Sequence, residues 1–437
     1  MAKRISAERQ LPLHKPISIY KSMLTRFLIF ISILLLAEYF SFSLVKSATQ
    51  TFPSNWKWGV RVFYIGFTLM TWLGFVAFRV IKWGSLPTSI RNVYIAVVMG
   101  FIIAKVLITL VLLIDELRRG GTWTLAKLFP EKPYFKQVQE NGISRSQFFQ
   151  HLALTLGGVS IAGFIYGMSN RYNYKLKKVK IASAKINDAL KGLRIIQISD
   201  IHSGSFDDFE AVAAGVRMIK EQQADLIVFT GDLVNNIHEE IIPYKELFAS
   251  LKAPLGLYSI LGNHDYGDYV SWPSDMAKRT NLEKLKTIHA EMGWKLMMNE
   301  HVVLNHNGQD LALIGIENWG AKANFPKYGD MQKAYQGMED KQALFQILLS
   351  HDPSHWDAQV RKEYPNIDLT LSGHTHGMQF GIEIPWLKWS PVQYLYKQWA
   401  GHYQENGQQL YVNRGYGFLG YPGRLGIMPE ITLIELA

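Results

Sequence analysis

Five short clusters in the second half of the chain carry side chains that bind metal: Asp200-x-His202, Gly231-Asp232, Gly262-Asn263-His264-Asp265, His351 and Gly373-His374-Thr375-His376. Imidazole binds zinc, iron, manganese and nickel, while carboxylate and amide oxygens suit harder ions. Taken singly, most of these clusters have an ordinary explanation. Asp-x-His is a common strand end, Gly-Asp is a frequent turn, and His351-Asp352-Pro353 reads as a helix start capped by Asp. The ordered set is different, because its donors together suit a pair of divalent ions of the Mn, Zn or Fe type. A dinuclear site holds its ions about 3.5–4 Å apart and stabilises both the attacking and the leaving oxygen of an in-line displacement. So close a pair calls for a bridging carboxylate. Asp232, which ends an apolar run with only Gly231 beside it, is the candidate.

Each cluster follows a β-like run, and these runs must position it. They are 193–199 (LRIIQIS), 226–230 (LIVFT), 255–261 (LGLYSIL), 344–350 (LFQILLS) and 367–372 (IDLTLS). In open α/β sheets, ligands bind beyond the carboxyl ends of the strands. The five loops are therefore expected to converge on one edge of a sheet. Between the first two runs, 207–223 has helical spacing through Val212, Val216 and Ile219, with acids at its start.

The chain has 437 residues, a formal charge of +10 and no cysteine. Disulfides, zinc–thiolate sites and thiol catalysis are thereby excluded. Four apolar segments, near 27–45, 62–78, 93–114 and 152–168, precede the soluble-looking part. Each reaches the 17–25 residues that a membrane span needs. The fourth, which contains Gly157, Gly158, Gly163 and Gly167, also suits a buried core helix. The expected organisation is a transmembrane region over 1–170 and an α/β domain over 171–437. Basic clusters flank the apolar segments, at Lys3, Arg4 and Arg9 and at Arg171, Lys175, Lys177, Lys178 and Lys180. This placement suits anionic headgroups, and no nucleic-acid motif accompanies it, so a membrane is the expected partner and nucleic acid is not.

Glu38 and Lys105 lie inside the first and third segments and are expected to pair, the other course being to snorkel to an interface. Lysine and arginine placement puts the N-terminus, the loop of Arg79, Lys82 and Arg91, and the stretch after Met168 on the cytoplasmic side if four helices span. Arg118, Arg119, Lys127, Lys132, Lys136 and Arg145 then fall outside, against the rule; three spans would place the catalytic domain outside instead. The expectation is a multi-pass protein of a bacterial inner membrane with its catalytic domain facing the cytoplasm.

The cluster series resembles the calcineurin-like metallophosphoesterase superfamily. The wording Ser372-Gly373-His374-Thr375-His376-Gly377-Met378-Gln379, with Tyr411-Val412-Asn413-Arg414-Gly415, resembles a narrower bacterial group of YkuE- and YaeI-type phosphodiesterases, related to UDP-2,3-diacylglucosamine pyrophosphatases. The resemblance runs from about residue 180 onward. It implies a four-layer α/β/β/α sandwich, here preceded by a bundle of about four transmembrane helices. It further implies that Asp200, His202 and His376 hold one metal, that Asn263, His351 and His374 hold the second, and that Asp232 bridges. A hydroxide between the metals would attack phosphorus. His264 would give a hydrogen bond or proton to the phosphate or leaving oxygen, with Asp265 orienting it.

Two features depart from that group. Met378 stands where glycine is usual and would narrow the mouth of the site. Ser144-Arg145-Ser146-Gln147-Phe148-Phe149 looks like a twin-arginine export signal lacking one arginine, and reads as the lead-in to a retained helix.

The substrate is less defined. The stretch Ile384-Pro385-Trp386-Leu387-Lys388-Trp389, followed by Tyr394, Tyr396 and Trp399, is either a lip that touches lipid or a packed aromatic cap. Arg414 is either a phosphate-binding cation or a turn residue. The expected activity is hydrolysis of a phosphodiester or pyrophosphate bond, of a lipid-linked substrate if the lip is real. A phosphomonoesterase or nucleotide hydrolase, and a catalytically silent membrane scaffold, are the alternatives.

Overall fold

The computed structural model describes residues 17–80, 86–129, 133–322, 326–341 and 344–437. Lys3, Arg4, Arg9, Lys82 and Lys132 lie outside the described residues. Two compact units are present: Met1–Ile81 with Gly100–Ala162, and Lys82–Met99 with Gly163–Ala437.

The first unit is helical, built from α1 (Ile17–Ala48), α2 (Ser54–Val80) and most of α3 (Thr88–Leu128) and α4 (Pro133–Ser169). Among the described residues, Leu28–Ala48, Thr88–Leu128 and Gln147–Ser169 are long and apolar enough to cross a membrane. Leu35, Phe63, Leu73 and Leu110 point outward, as they would where the surrounding solvent is lipid. Gly157 lets α4 approach α3, since a Cβ there would meet Ile108 Cδ1 at 2.8 Å.

The two intramembrane charges do pair. Lys105 Nζ donates to Glu38 Oε1 and, at 3.0 Å, to Thr68 Oγ1. Tyr64 Oη donates to Glu38 Oε2 at 3.0 Å. One ion pair thus joins α1, α2 and α3. Removing a single partner from a buried pair leaves an uncompensated charge and costs about 3–5 kcal/mol, whereas replacing both with apolar groups is often neutral. Lys105→Met is therefore expected to lower thermal stability in detergent strongly, and Glu38→Gln with Lys105→Met to recover most of it. Equal losses in the single and double variants would show that the pair is not the source of stability.

The second unit is a four-layer sandwich. One six-stranded sheet has the order β1-β14-β2-β3-β4-β5, and the other β12-β13-β9-β8-β7-β6. The first uses β1 (Lys175–Ile181), β2 (Arg194–Ile198), β3 (Leu226–Phe229), β4 (Leu257–Ser259), β5 (Lys295–Leu296) and β14 (Glu430–Leu436). The second uses β6 (Glu300–His306), β7 (Gln309–Gly315), β8 (Phe345–Leu349), β9 (Leu369–Ser372), β12 (Gly401–Glu405) and β13 (Gln408–Val412), while β10 (Ile382–Ile384) and β11 (Leu387–Trp389) form a separate hairpin.

Strand residues alternate between faces, and the cores follow that period. Ile195, Val228 and Tyr258 meet Ile347, Leu371 and Tyr411 between the sheets. Ile196 and Phe229 face the opposite way, toward Val212, Val216 and Ile219 of α5 (Phe209–Glu221). The short α6 (Lys245–Ala249) and α7 (Asp275–Glu291) complete that layer through Phe248, Leu285 and Ile288. On the far side, Ile314 and Leu348 pack under Met331 of α8 (Met331–Tyr335) and Trp356 and Val360, just before α9 (Arg361–Glu363). Asp208 caps α5 by accepting from Ala211 N at 3.0 Å, close to where the sequence places a helix start.

All five apolar runs are strands: β2, β3, β4, β8 and β9. They do not share one sheet, which corrects the single-edge expectation. Three loops rise from the first sheet and two from its partner, so the ligands meet across the gap between sheets. Gln197 holds that gap closed, donating from Nε2 to Thr230 Oγ1 at 3.2 Å and to the Ser372 carbonyl at 2.9 Å.

The ends of two membrane helices belong to this unit as well. Asn92, near the start of α3, donates to Asp207 Oδ2 at 2.8 Å. Arg171, just past α4, donates to Asp207 Oδ1 at 3.0 Å.

Candidate metal centre

The loops bring the sequence-selected donors into two buried groups. Asp200, His202 and His376 form one, and Asp232, His351 and His374 the other; within each, the candidate ligand atoms lie within 4.8 Å of one another. Asn263 joins the second group, with Oδ1 2.9 Å from His374 Nδ1 and 3.2 Å from His351 Nε2. Asp232 Oδ2 lies 3.5 Å from His202 Nε2 and 3.2 Å from His351 Nε2, so one oxygen faces both groups.

The arrangement fits cations better than a hydrogen-bond network. His202 Nδ1 and Nε2 and His376 Nε2 are buried without a hydrogen-bond partner among the described residues. His351 Nδ1 donates to the Thr230 carbonyl at 2.7 Å, which turns Nε2 toward Asn263 Oδ1 and Asp232. His374 Nε2 lies 2.9 Å from Tyr396 Oη, which donates to Asp352 at 3.4 Å, and Nδ1 faces Asn263 Oδ1. Tyr269 Oη accepts from Asn263 Nδ2 at 2.8 Å and so presents Oδ1 inward. Outer contacts of this kind set the tautomer and aim of ligating groups.

Electrostatics agree. Burial alone would raise the carboxyl groups of Asp200 and Asp232. The imidazoles beside them, His376 for Asp200 and His351 for Asp232, overcome it and hold both well below the usual carboxylate range. Burial pushes His202 down to about 3, leaving it neutral as a ligand must be. Burial also opposes charge on His351, but facing Asp232 draws its pKa up to about 10. Ionised carboxylates here demand positive charge, and a metal supplies it by displacing protons.

The backbone is strained where the donors sit. Asp200 (φ 52°), His202 (48°), Asp232 (63°), His374 (71°) and His376 (50°) all occupy the left-handed region. Met378 (φ 56°), two residues past His376, does too.

Two roles read from sequence need correction. Asp265 does not orient His264. Its carboxylate accepts from the backbone N–H groups of Asp232 (2.9 Å), Leu233 (2.8 Å), Val234 (3.3 Å) and Gly262 (2.8 Å). His264 is oriented by the Asn235 carbonyl, 2.8 Å from Nδ1. Arg414 is not a free phosphate cation. It is buried, and its guanidinium is committed to Glu430 and, at 2.6 Å, to Glu383. Arg424 went unnoticed in sequence; it donates to the carbonyls of His376 (3.2 Å), Arg414 (2.8 Å) and Gly415 (3.2 Å) and so ties two site loops together. No motif marks it. The aromatic stretch divides in two: Tyr396 and Trp399 pack with Val392 and Ile427 as a cap, while Trp386 and Tyr394 face outward.

These observations describe a candidate metal site on an α/β/β/α sandwich. Residues 193–378 match the calcineurin-like phosphoesterase family, and 25–171 match a probable calcineurin-like phosphoesterase transmembrane domain. The chain is 31% identical over 309 residues to the uncharacterized metallophosphoesterase YkuE of Bacillus subtilis, covering 67% of this chain and 98% of that protein. It is 30% identical over 287 residues to the UDP-2,3-diacylglucosamine pyrophosphatase LpxG of Chlamydia trachomatis, covering 56% and 84%. A transmembrane protein with metallophosphoesterase domain from Danio rerio is 31% identical over 280 residues, covering 62% of this chain and 60% of that one. The chain belongs to the calcineurin-like metallophosphoesterase family and carries a transmembrane domain.

The glycine before the double histidine offers a test. A Cβ on Gly373 would sit 1.9 Å from Ser199 Oγ and 2.2 Å from Asp200 Oδ2. Gly373→Ala is expected to retain its circular dichroism spectrum but to lose most bound metal by elemental analysis. Full metal content in that variant would contradict the packing argument.

Proposed function

We propose that this chain is a membrane-anchored phosphoesterase that uses two divalent ions to hydrolyse a phosphodiester or pyrophosphate bond of a lipid-linked substrate. The carrying observation is the Asp232 oxygen facing His202 at 3.5 Å and His351 at 3.2 Å, one imidazole from each group. In this reading Asp200, His202 and His376 hold one ion, Asn263, His351 and His374 hold the other, and Asp232 spans both. When bound, the ions supply Lewis acidity to the phosphoryl oxygens and lower the pKa of the attacking water. Two ligand carboxylates, Asp200 and Asp232, against two divalent ions leave the centre cationic, which favours a phosphate anion.

His264 is the proton-transfer residue in this reading. The Asn235 carbonyl accepts its Nδ1–H, so Nε2 faces the reaction. In this role Nε2 gives a hydrogen bond or proton to the phosphoryl or leaving oxygen. The related pyrophosphatase LpxG, with its diacylated substrate, supports a lipid-linked substrate, as do the outward Trp386 and Tyr394.

The catalytic unit belongs, we propose, on the cytoplasmic face. Asn92 at the start of α3 and Arg171 after α4 both bond Asp207, so α3 leaves that face and α4 returns to it. Arg91, Arg171, Lys175, Lys177 and Lys178 then gather on one side, as the positive-inside rule requires. With no cysteine in the chain, Asp188→Cys gives a single reactive site on the catalytic unit. It is expected to react with an impermeant maleimide in inverted vesicles and not in intact cells; the reverse pattern would put the domain outside.

For the chemistry, purified full-length enzyme should be assayed on a bis-aryl phosphodiester, an aryl phosphomonoester, a nucleotide-sugar pyrophosphate and a glycerophospholipid. His264→Ala is expected to keep its metals and lose about 10²–10⁴ in kcat. Asp232→Ala is expected to lose metal as well as activity. Preference for the monoester would replace the diester reading, and a metal-loaded enzyme inert on all four would leave a scaffold.

A further inference from the structure

The last turn of α4 lies within the catalytic unit and meets it at a particular edge. Lys175 at the start of β1 pairs with Glu430, and Thr432 pairs with Gln197 in the antiparallel β14–β2 pair. The membrane helix therefore enters the sheet at the edge where β2 ends, which is the edge that carries Asp200. Phe164 belongs to the apolar stretch Gln147–Ser169, within five residues of its end, or about 7–8 Å of helix. Its ring stacks on Phe380 with centroids 6.0 Å apart and meets Tyr421 edge-on at 4.9 Å. A span that ends with this stretch would set the side chains packed on Phe164 near the bilayer surface.

Phe380 leads directly into the β10–β11 hairpin and lies 6.2 Å from the Trp389 ring. At the hairpin turn Trp386 is 83% exposed, and Ile382, Ile384 and Leu387 are exposed beside it. Tyr394, at 76%, and Leu395 extend the apolar surface. Monomeric soluble surfaces rarely gather so many large apolar groups, and Trp and Tyr concentrate at membrane–water interfaces. Lys177 of β1 pairs with Glu383 of the hairpin at 3.4 Å, which brings the basic start of β1, with Lys175 and Lys178, alongside. That neighbourhood suits anionic headgroups. At its inner end the surface reaches the metal centre: Tyr396, next to Leu395, contacts His374 at 2.9 Å.

We propose that the hairpin, with Tyr394 and Leu395, is a lip inserted in the acyl layer of the host bilayer, holding the metal centre at the surface where a lipid-borne phosphate reaches it. Insertion follows from the helix end and the exposed apolar groups. Only the delivery of substrate rests on the phosphoesterase reading.

The absence of cysteine makes the test clean. Full-length Trp386→Cys, carrying an environment-sensitive fluorophore, is placed in nanodiscs of phosphatidylglycerol and phosphatidylcholine. Asp188→Cys, beyond the opposite end of β1 and 97% exposed at its side chain, is the reference. Position 386 is expected to emit to the blue of position 188 and to resist aqueous iodide; equal emission and quenching at the two positions would overturn insertion. In a second arm, Trp386→Ala with Leu387→Ala is assayed on the bis-aryl diester and on a phosphodiester lipid presented in vesicles. The ratio of lipid to aryl turnover is expected to fall about tenfold, from lost apolar burial; an unchanged ratio would overturn delivery. A wild-type enzyme inert on every phosphate substrate would sink the functional reading, while the emission at position 386 would still decide the lip.

Discussion

Asp265 has a carboxylate buried beside the candidate metal ligands, and it accepts four backbone N–H groups from the loops after β3 and β4. Without such an acceptor those N–H groups would be buried and unpaired, at about 1–3 kcal/mol each. The carboxylate thereby fixes the approach of Asp232 to Asn263 and His264. Asp232 Oδ1 in turn accepts the His264 N–H at 2.9 Å, which leaves Oδ2 to face both imidazole groups. A residue outside the candidate ligand set therefore sets the geometry of those within it.

The loops after β2, β3 and β9 hold candidate donors in backbone conformations that L residues rarely adopt. Left-handed non-glycine residues cost on the order of 1–3 kcal/mol each, and five candidate ligands share that state. The strain is offset by contacts that only this arrangement allows. The Asp200 carboxylate accepts the His374 N–H at 3.0 Å, and Arg424 gathers carbonyls from two loops. Gly231 (φ 96°) completes the set, since a side chain there would strike Gly262 and His351.

What the amino-acid pattern disclosed, and what it hid, divides along the range of the interaction. Runs such as LIVFT and IDLTLS announce buried strands because apolarity is local, and the polar residues at their ends are visible in the same window. Glu38 and Lys105 were legible as a pair because two charges in hydrocarbon have few other options. The division of the strands between two sheets left no local trace. Neither did the roles of Asp265 and Arg414, whose partners are set by tertiary packing. Arg414 and Glu430 are separated by 16 residues, Arg414 and Glu383 by 31. Tyr396 and Asp352 support His374 from across the fold and carry no motif, and Asp207 collects membrane-helix residues from far along the chain.

The strand order also sets a timetable for biosynthesis. β14 lies between β1 and β2, so the first sheet is not continuous until residues 430–436 have been made. Translation proceeds at about 5–20 residues per second, so α1 to α4 are available for membrane insertion some tens of seconds before the catalytic unit can close. The unit therefore folds as a tethered chain beside a bilayer, with β1 already anchored through α4 and waiting for its central partner. During that interval the open flanks of β1 and β2 are unpaired strand edges, and the anchor that later presents the enzyme to its membrane first limits where those edges can wander.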